Sequence, residues 1–250
     1  MKVLVKTIQV IYVAYAMLLF VALLLLVFPL ALLASLAGVI KGGNIIYRLS
    51  GYWADIWLLM VGIRVRRSGE APDPAKGARI FVANHISYMD IPMLVKTLRL
   101  PVRALANAET GRIPVFGFLY RRAAVMVDRS SAENRARSIK ILKSVLRVGV
   151  SVFIFPEGMF NTTTRPLKTF YDGAFRIAIE TQTPLRPMLF PDTAKRLHYS
   201  SLFTLTPGSS RVVFLPEVSV DGLTLKDVDA LKEKVYTMME KKLRQLRSEV

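Results

Sequence analysis

Two hundred and fifty residues suffice for one sizeable globular domain plus a membrane anchor. The absence of cysteine excludes disulfides, cysteine-ligated metal sites and a cysteinyl acyl-enzyme, and two histidines, His85 and His198, cannot build a three-histidine metal site. A net charge of +17 on a chain that is 52% hydrophobic fits a membrane surface, where apolar groups insert and each basic side chain near anionic lipid adds about 1 kcal/mol.

Residues 7–40 carry no charged side chain. About 20 helical residues cross a bilayer core, so this run exceeds one straight span. Pro29 lies inside it and lacks a backbone donor, and a kink or break is expected there. A cleaved signal peptide competes, with Lys2 and Lys6 at its start and Ser35-Leu36-Ala37 at its cleavage site. Signal cores run only about 7–15 residues, which argues against it. Basic residues flank the run on both sides, as Lys2, Lys6, Lys41 and Arg48. Symmetric flanks suit a hairpin or re-entrant anchor with both ends on the cytoplasmic face.

Residues 44–63 combine Tyr47, Tyr52, Trp53 and Trp57 with few charges, which fits either an interfacial helix or a buried packing helix. Residues 68–77 read as a loop from their Pro and Gly. Short apolar runs at 79–83, 102–106, 123–127, 151–155, 185–189 and 211–215 read as buried strands. A helix over about 131–148 has Ser130 and Glu133 as capping box and Gly149 as its stop. A last amphipathic helix over about 225–246 has Thr224 and Asp227 at its cap. Strand–helix alternation predicts an α/β domain with a largely parallel sheet. The expected division is a membrane-anchoring segment over 1–66 and a single domain over 67–250.

Three polar clusters follow expected strands: Asn84-His85, Asp128-Arg129 and Pro156-Glu157-Gly158. Ligands gather at the carboxyl ends of strands in open α/β sheets, so parallel neighbours would bring these clusters to one rim. Asp90 lies five residues after His85, about 140° around a helix, so the two would meet only in a turn at a helix start. There Asp90 would fix the imidazole tautomer and leave the other nitrogen free to take a proton. No Ser or Cys nucleophile motif, zinc motif or phosphate-binding glycine loop accompanies the pair, which suits activation of a substrate's own hydroxyl.

Asn84-His85-x-x-x-x-Asp90 resembles the signature block of the glycerolipid acyltransferases, of the lysophosphatidic acid acyltransferase type. The further blocks come in the same order: Ile113-Pro-Val-Phe-Gly117 with Val127-Asp128-Arg129, then Phe155-Pro156-Glu157-Gly158, then Thr183-Pro184-Leu185-Arg186-Pro187. The resemblance covers about 79–190. It implies that His85 acts as general base with Asp90 behind it, that Glu157 and Gly158 line the acceptor pocket, and that Arg129 pairs with an acceptor phosphate. Glu157 as a helix N-terminal carboxylate, and Arg129 as a surface partner of Asp128 or Glu133, are the plainer alternatives. The implied partners are a lysolipid acceptor, an acyl-CoA or acyl-carrier-protein donor and an anionic membrane, without nucleic acid, metal or organic cofactor. The implied location is the inner (cytoplasmic) membrane with the catalytic domain facing the cytoplasm.

Two positions depart from the family pattern. After Glu157-Gly158 the usual Thr-Arg is Met159-Phe160, and the later Phe-Lys-x-Gly is Phe170-Tyr171-Asp172-Gly173. Arg165 and Lys168 lie close by and are candidates to replace the missing cations. An acceptor without a phosphate monoester, such as a lyso-aminolipid, is the alternative. His198 reads as structural or surface, and the basic run from Arg121 to Arg147 as either a docking face for an acidic partner or a solvated helix face. From other functional classes, a membrane-anchored nucleic-acid binder would fit the charge without using His85, and a lipid-binding protein with a decayed site would not need an intact His85 and Asp90.

Overall fold

The computed structural model describes residues 2–127 and 132–248. It opens with a helical hairpin, α1 (Lys2–Ser35) and α2 (Val39–Met60), reversed at Gly38, whose φ of +84° a side chain would resist. The expected break at Pro29 does not occur, and α1 runs through it to Ser35. Proline forfeits one bond of the helical ladder, and burial of Val13, Ala16, Ala31 and Ala34 holds α1 against the protein on both sides of it. Length and composition allow Leu4–Ser35 to cross a membrane.

The packing reading of 44–63 holds for one face of α2. Tyr47, Trp53 and Trp57 are buried, while Tyr52, Ile56 and Leu59 are exposed. The indole N–H of Trp57 donates to the Ala16 carbonyl at 2.9 Å, and the two indoles stack at 5.8 Å. Gly42 lets the helices touch, because a Cβ there would lie 2.4 Å from the Ala34 carbonyl oxygen.

The remaining chain builds one seven-stranded sheet. Its strands are β1 (Ile63–Ser68), β2 (Ile80–Ala83), β3 (Val102–Asn107), β4 (Ala124–Val127), β5 (Ser151–Ile154), β6 (Leu185–Leu189) and β7 (Gly208–Phe214). The order is β1-β7-β6-β2-β5-β3-β4. Neighbours are parallel except β6 and β7, so the expected largely parallel α/β sheet is present, with a reversed edge pair. Six expected strands are found within a few residues of their expected bounds. β1 was not anticipated, although Ile63 and Val65 alternate with Arg64 and Arg66 in the period-two pattern of an edge strand. The expected division at 66/67 falls inside this strand.

Both faces of the sheet are covered, which explains why its central strand, β2, is apolar throughout. Ile80, Val82, Val152 and Ile154 face a core with α5 (Ala132–Arg147), α6 (Gly173–Thr181) and α8 (Val228–Ser248). Phe81, Ala83, Phe153 and Met188 face a second core closed by α1, α2 and α3 (Asp90–Thr97). α4 (Phe116–Ala123) adds Leu119 against Ala31 and Ile46, and α7 (Thr193–Arg196) is one turn after β6. α5 stops at Gly149 with φ +77°, and the Thr224–Asp227 capping box precedes α8, both as expected. Ser130 of the other expected capping box lies outside the described residues.

Candidate active site

β2 and β5 are adjacent and parallel, so their carboxyl ends deliver Asn84-His85 and Pro156-Glu157-Gly158 to one rim. Asp128 and Arg129, which would follow β4 two strands away, lie outside the described residues. The rim is fastened by Asn84, whose side chain is buried. Its Nδ2 donates to the Phe190 carbonyl at 3.0 Å and its Oδ1 accepts the Phe190 N–H at 2.8 Å, closing the gap between the ends of β2 and β6.

His85 and Asp90 meet as the spacing requires, in a turn at the start of a helix. His85 Nδ1 lies 2.8 Å from Asp90 Oδ2. The same oxygen accepts the backbone N–H groups of Ile86 at 2.9 Å and Ser87 at 3.0 Å. Asp90 occupies the first turn of α3, where the helix dipole favours a carboxylate, and it is fully buried. Ser87 locks the turn by donating its hydroxyl to the Leu197 carbonyl and accepting the Met89 N–H. A carboxylate accepting two backbone N–H groups is the acceptor for the ring's N–H, which puts the imidazole proton on Nδ1 and a lone pair on Nε2.

Aromatic rings fix the imidazole plane. Phe155 stacks on it at 3.7 Å and 11°, and Phe160 leans on it at 4.2 Å. Phe160 in turn meets Tyr88 edge-on at 4.8 Å. The position where a cation was expected therefore holds a ring in contact with His85 itself.

Glu157 is nearly fully buried, and its carboxylate is spoken for on both oxygens. Oε1 accepts the His85 backbone N–H at 2.9 Å, and Oε2 accepts the Lys168 backbone N–H at 2.8 Å. It thus clamps the backbone at His85 and at Lys168 to the turn after β5. Burial pushes its carboxyl up to about 7, against the two N–H groups that favour the ionised form. Gly158 has φ +75° and donates to the Phe155 carbonyl at 3.0 Å, so this glycine serves a tight turn. Lys168 enters the site through its backbone, and Arg165 is exposed with its carbonyl accepting Asn161 Nδ2 at 3.0 Å. The fourth block lies at the other end of β6, where Arg186 donates to the Glu70 carbonyl at 2.6 Å. Among the described residues, no three His, Asp or Glu side chains gather as a metal site.

Two contributors had no role assigned from the sequence. Phe155 ends an expected strand and opens the third block, without a task of its own there. Asn161, whose N–H donates to the His85 carbonyl at 2.7 Å, carries no motif.

The family profile described as acyltransferase matches residues 63–190, just over half of the chain. A lyso-ornithine lipid O-acyltransferase of Pseudomonas aeruginosa is 31% identical over 142 residues, covering 56% of this chain and 52% of that protein. A 1-acyl-sn-glycerol-3-phosphate acyltransferase of Cocos nucifera is 26% identical over 201 residues, covering 80% of this chain and 63% of that one. The chain thus spans between half and two thirds of the length of these two curated relatives. The crystal structure of the 1-acyl-sn-glycerophosphate acyltransferase from Thermotoga maritima superposes with a TM-score of 0.78 at 19% identity, over 99% of this chain and 98% of that one. With the profile running from the start of β1 to the end of β6 and enclosing the His85–Asp90 turn, the chain belongs to the acyltransferase family.

Proposed function

We propose that this protein transfers a fatty acyl group from an acyl thioester, of coenzyme A or an acyl carrier protein, to the free hydroxyl of a lysolipid. 1-Acyl-glycerol-3-phosphate is the first candidate acceptor, which would make the product phosphatidic acid. The reading rests on the contact of His85 Nδ1 with a buried Asp90 carboxylate.

Nδ1–H donates to Asp90, and Nε2 takes the proton of the acceptor hydroxyl as its oxygen attacks the thioester carbonyl. The tetrahedral adduct collapses with cleavage of the C–S bond. The departing thiolate receives the proton back from the imidazolium, so ester and free thiol leave and the enzyme returns to its starting state. Asp90 stabilises the transient imidazolium, and Phe155 holds the ring in plane. Such base catalysis contributes about 10²–10⁴-fold.

Membrane association fits the same reading. α1 buries one face on the protein and exposes Leu18, Leu26 and Leu33 on another. A helix docked along its length suits a hairpin lying in one leaflet, with both ends and the catalytic domain on the cytoplasmic side of the inner membrane. Proteolysis of right-side-out vesicles tests this, and cleavage next to Lys2 from outside contradicts it.

An acceptor with a lyso-aminolipid head is the second reading. It is favoured by Phe160 packed on His85 and by the similarity to the lyso-ornithine lipid enzyme. One assay separates the readings: purified protein, labelled acyl donor, and lysophosphatidic acid and a lyso-aminolipid side by side, with His85→Ala as control. Label in phosphatidic acid that vanishes in the variant supports the first, and label only in the aminolipid supports the second. Label in neither removes the acyl-transfer reading.

A further inference from the structure

Beside the aromatic cage of His85 lies a second cavity of about 420 Å³, at the same carboxyl-end rim but with a different chemistry. Ile86, next in sequence to the base, lines it, as does Asn161, which holds the His85 carbonyl. Tyr199 forms the shared wall, 6.2 Å from the Phe160 ring that leans on His85. Where the cage presents rings, the lining of this cavity includes Lys195, Arg211 and Arg247.

Among the described lining residues the cations outnumber the carboxylates. Asp192 is taken by Arg211 in a two-pronged pair, Nε to Oδ2 at 2.7 Å and Nη2 to Oδ1 at 2.9 Å. Burial opposes ionisation of Asp192, but the Arg211 hydrogen bonds, with the Arg211 and Lys195 charges, outweigh it and hold the carboxyl below its usual range. Three described cations, Lys195, Arg211 and Arg247, thus line the cavity with this one described carboxylate. His198, whose Nδ1 lies 2.7 Å from Ser200 Oγ, and the Thr162 hydroxyl also line it.

Cations and neutral donors around one hollow suit an anion with several acceptor oxygens. We infer that this cavity is a phosphate-ester subsite, which seats the phosphate of one substrate while its reacting group reaches His85 through the Ile86–Asn161 side. The inference rests on the acyl-transfer reading. Two substrates of that reaction carry such a group: the donor, on its pantetheine arm, and the acceptor, as lysophosphatidic acid.

The test is the double variant Lys195→Ala/Arg247→Ala, with Lys195→Arg/Arg247→Lys as the charge-preserving control. Two ratios of kcat/KM are measured: acyl-CoA against acyl-pantetheine, and lysophosphatidic acid against monoacylglycerol. A fall of about tenfold or more in either ratio, restored in the control, is the expected result and names the substrate whose phosphate sits there. Both ratios unchanged, or equal losses with and without phosphate, overturn it. Calorimetric binding of desulfo-coenzyme A and of glycerol 3-phosphate to the same proteins is independent of turnover. If the wild type transfers no acyl group but binds either probe and the double variant does not, the acyl-transfer reading fails and the subsite stands. Undiminished binding of both probes by the double variant overturns the subsite.

Discussion

The backbone N–H of His85 donates to the Glu157 carboxylate at 2.9 Å, across 72 residues of chain. Because the other oxygen holds Lys168, one buried side chain fixes the main chain of His85 to the turn after β5 and to the strap around 168. Its charge has a consequence for stability. The native carboxyl titrates at about 7 against an ordinary 4.5, so between these values the native protein keeps a proton that the unfolded chain has released. Stability from this group therefore falls as pH rises from about 4.5 to about 7 and is level above, a swing of order 3 kcal/mol. Glu157→Gln removes the titration, so wild type should lose stability relative to the variant across that window. Denaturant unfolding in detergent at a series of pH values checks this, and a constant difference contradicts it.

Asp90→Asn should preserve the fold of the turn, since an amide oxygen still accepts from Ile86 and Ser87. It removes the charge opposite the imidazolium, while the amide oxygen held by those two N–H groups stays opposite Nδ1. The expected loss in kcat is about 10²–10⁴-fold with KM little changed, read by steady-state kinetics.

Much of this site was legible because its residues announce themselves locally. His85 and Asp90 stand five apart at the junction of an apolar run and a helix start, and only one backbone geometry joins them. The strands were legible for a similar reason: runs such as Ile80–Ala83 are apolar at every position, which only a doubly covered sheet demands. β1 was missed because an edge strand shows one buried side, and its Arg-rich half reads as loop. Glu157 was found, but its two backbone partners were not legible. A motif reports that a carboxylate is needed after β5, but not whether it faces substrate or the backbone beneath. The stacking of Phe155 on His85 and the part of Asn161 could not be found, since each matters only through a neighbour distant in sequence.

Asn84 supports the rim from the other side. Asn84→Ala strips the Phe190 N–H and C=O of their partner in a buried place, at a cost of about 2–4 kcal/mol. The expected outcome is a lower unfolding midpoint together with reduced activity, because the strand end that carries His85 is no longer tied to β6.

Gly42→Ala sets two effects against each other. Alanine favours a helix over glycine by about 1 kcal/mol. The added Cβ, however, meets the Ala34 carbonyl oxygen at 2.4 Å, and backbone on both sides cannot yield cheaply. The clash should win, splaying the hairpin. A fall in melting temperature with weaker partition onto anionic vesicles is expected, and a rise in melting temperature contradicts the packing argument.

The edge pair of the sheet joins the beginning of the chain to its end. α2 leads through Gly62 into β1, and β1 pairs from Ile63 with β7 from Gly208. Trimming the hairpin to obtain a soluble catalytic fragment would take β1 or its approach with it. It would bare Phe81, Phe153 and Met188 to water and turn β7 into an unguarded strand edge. Hairpin and sheet share one core here, and such a fragment would exchange a covered apolar face for one prone to aggregation.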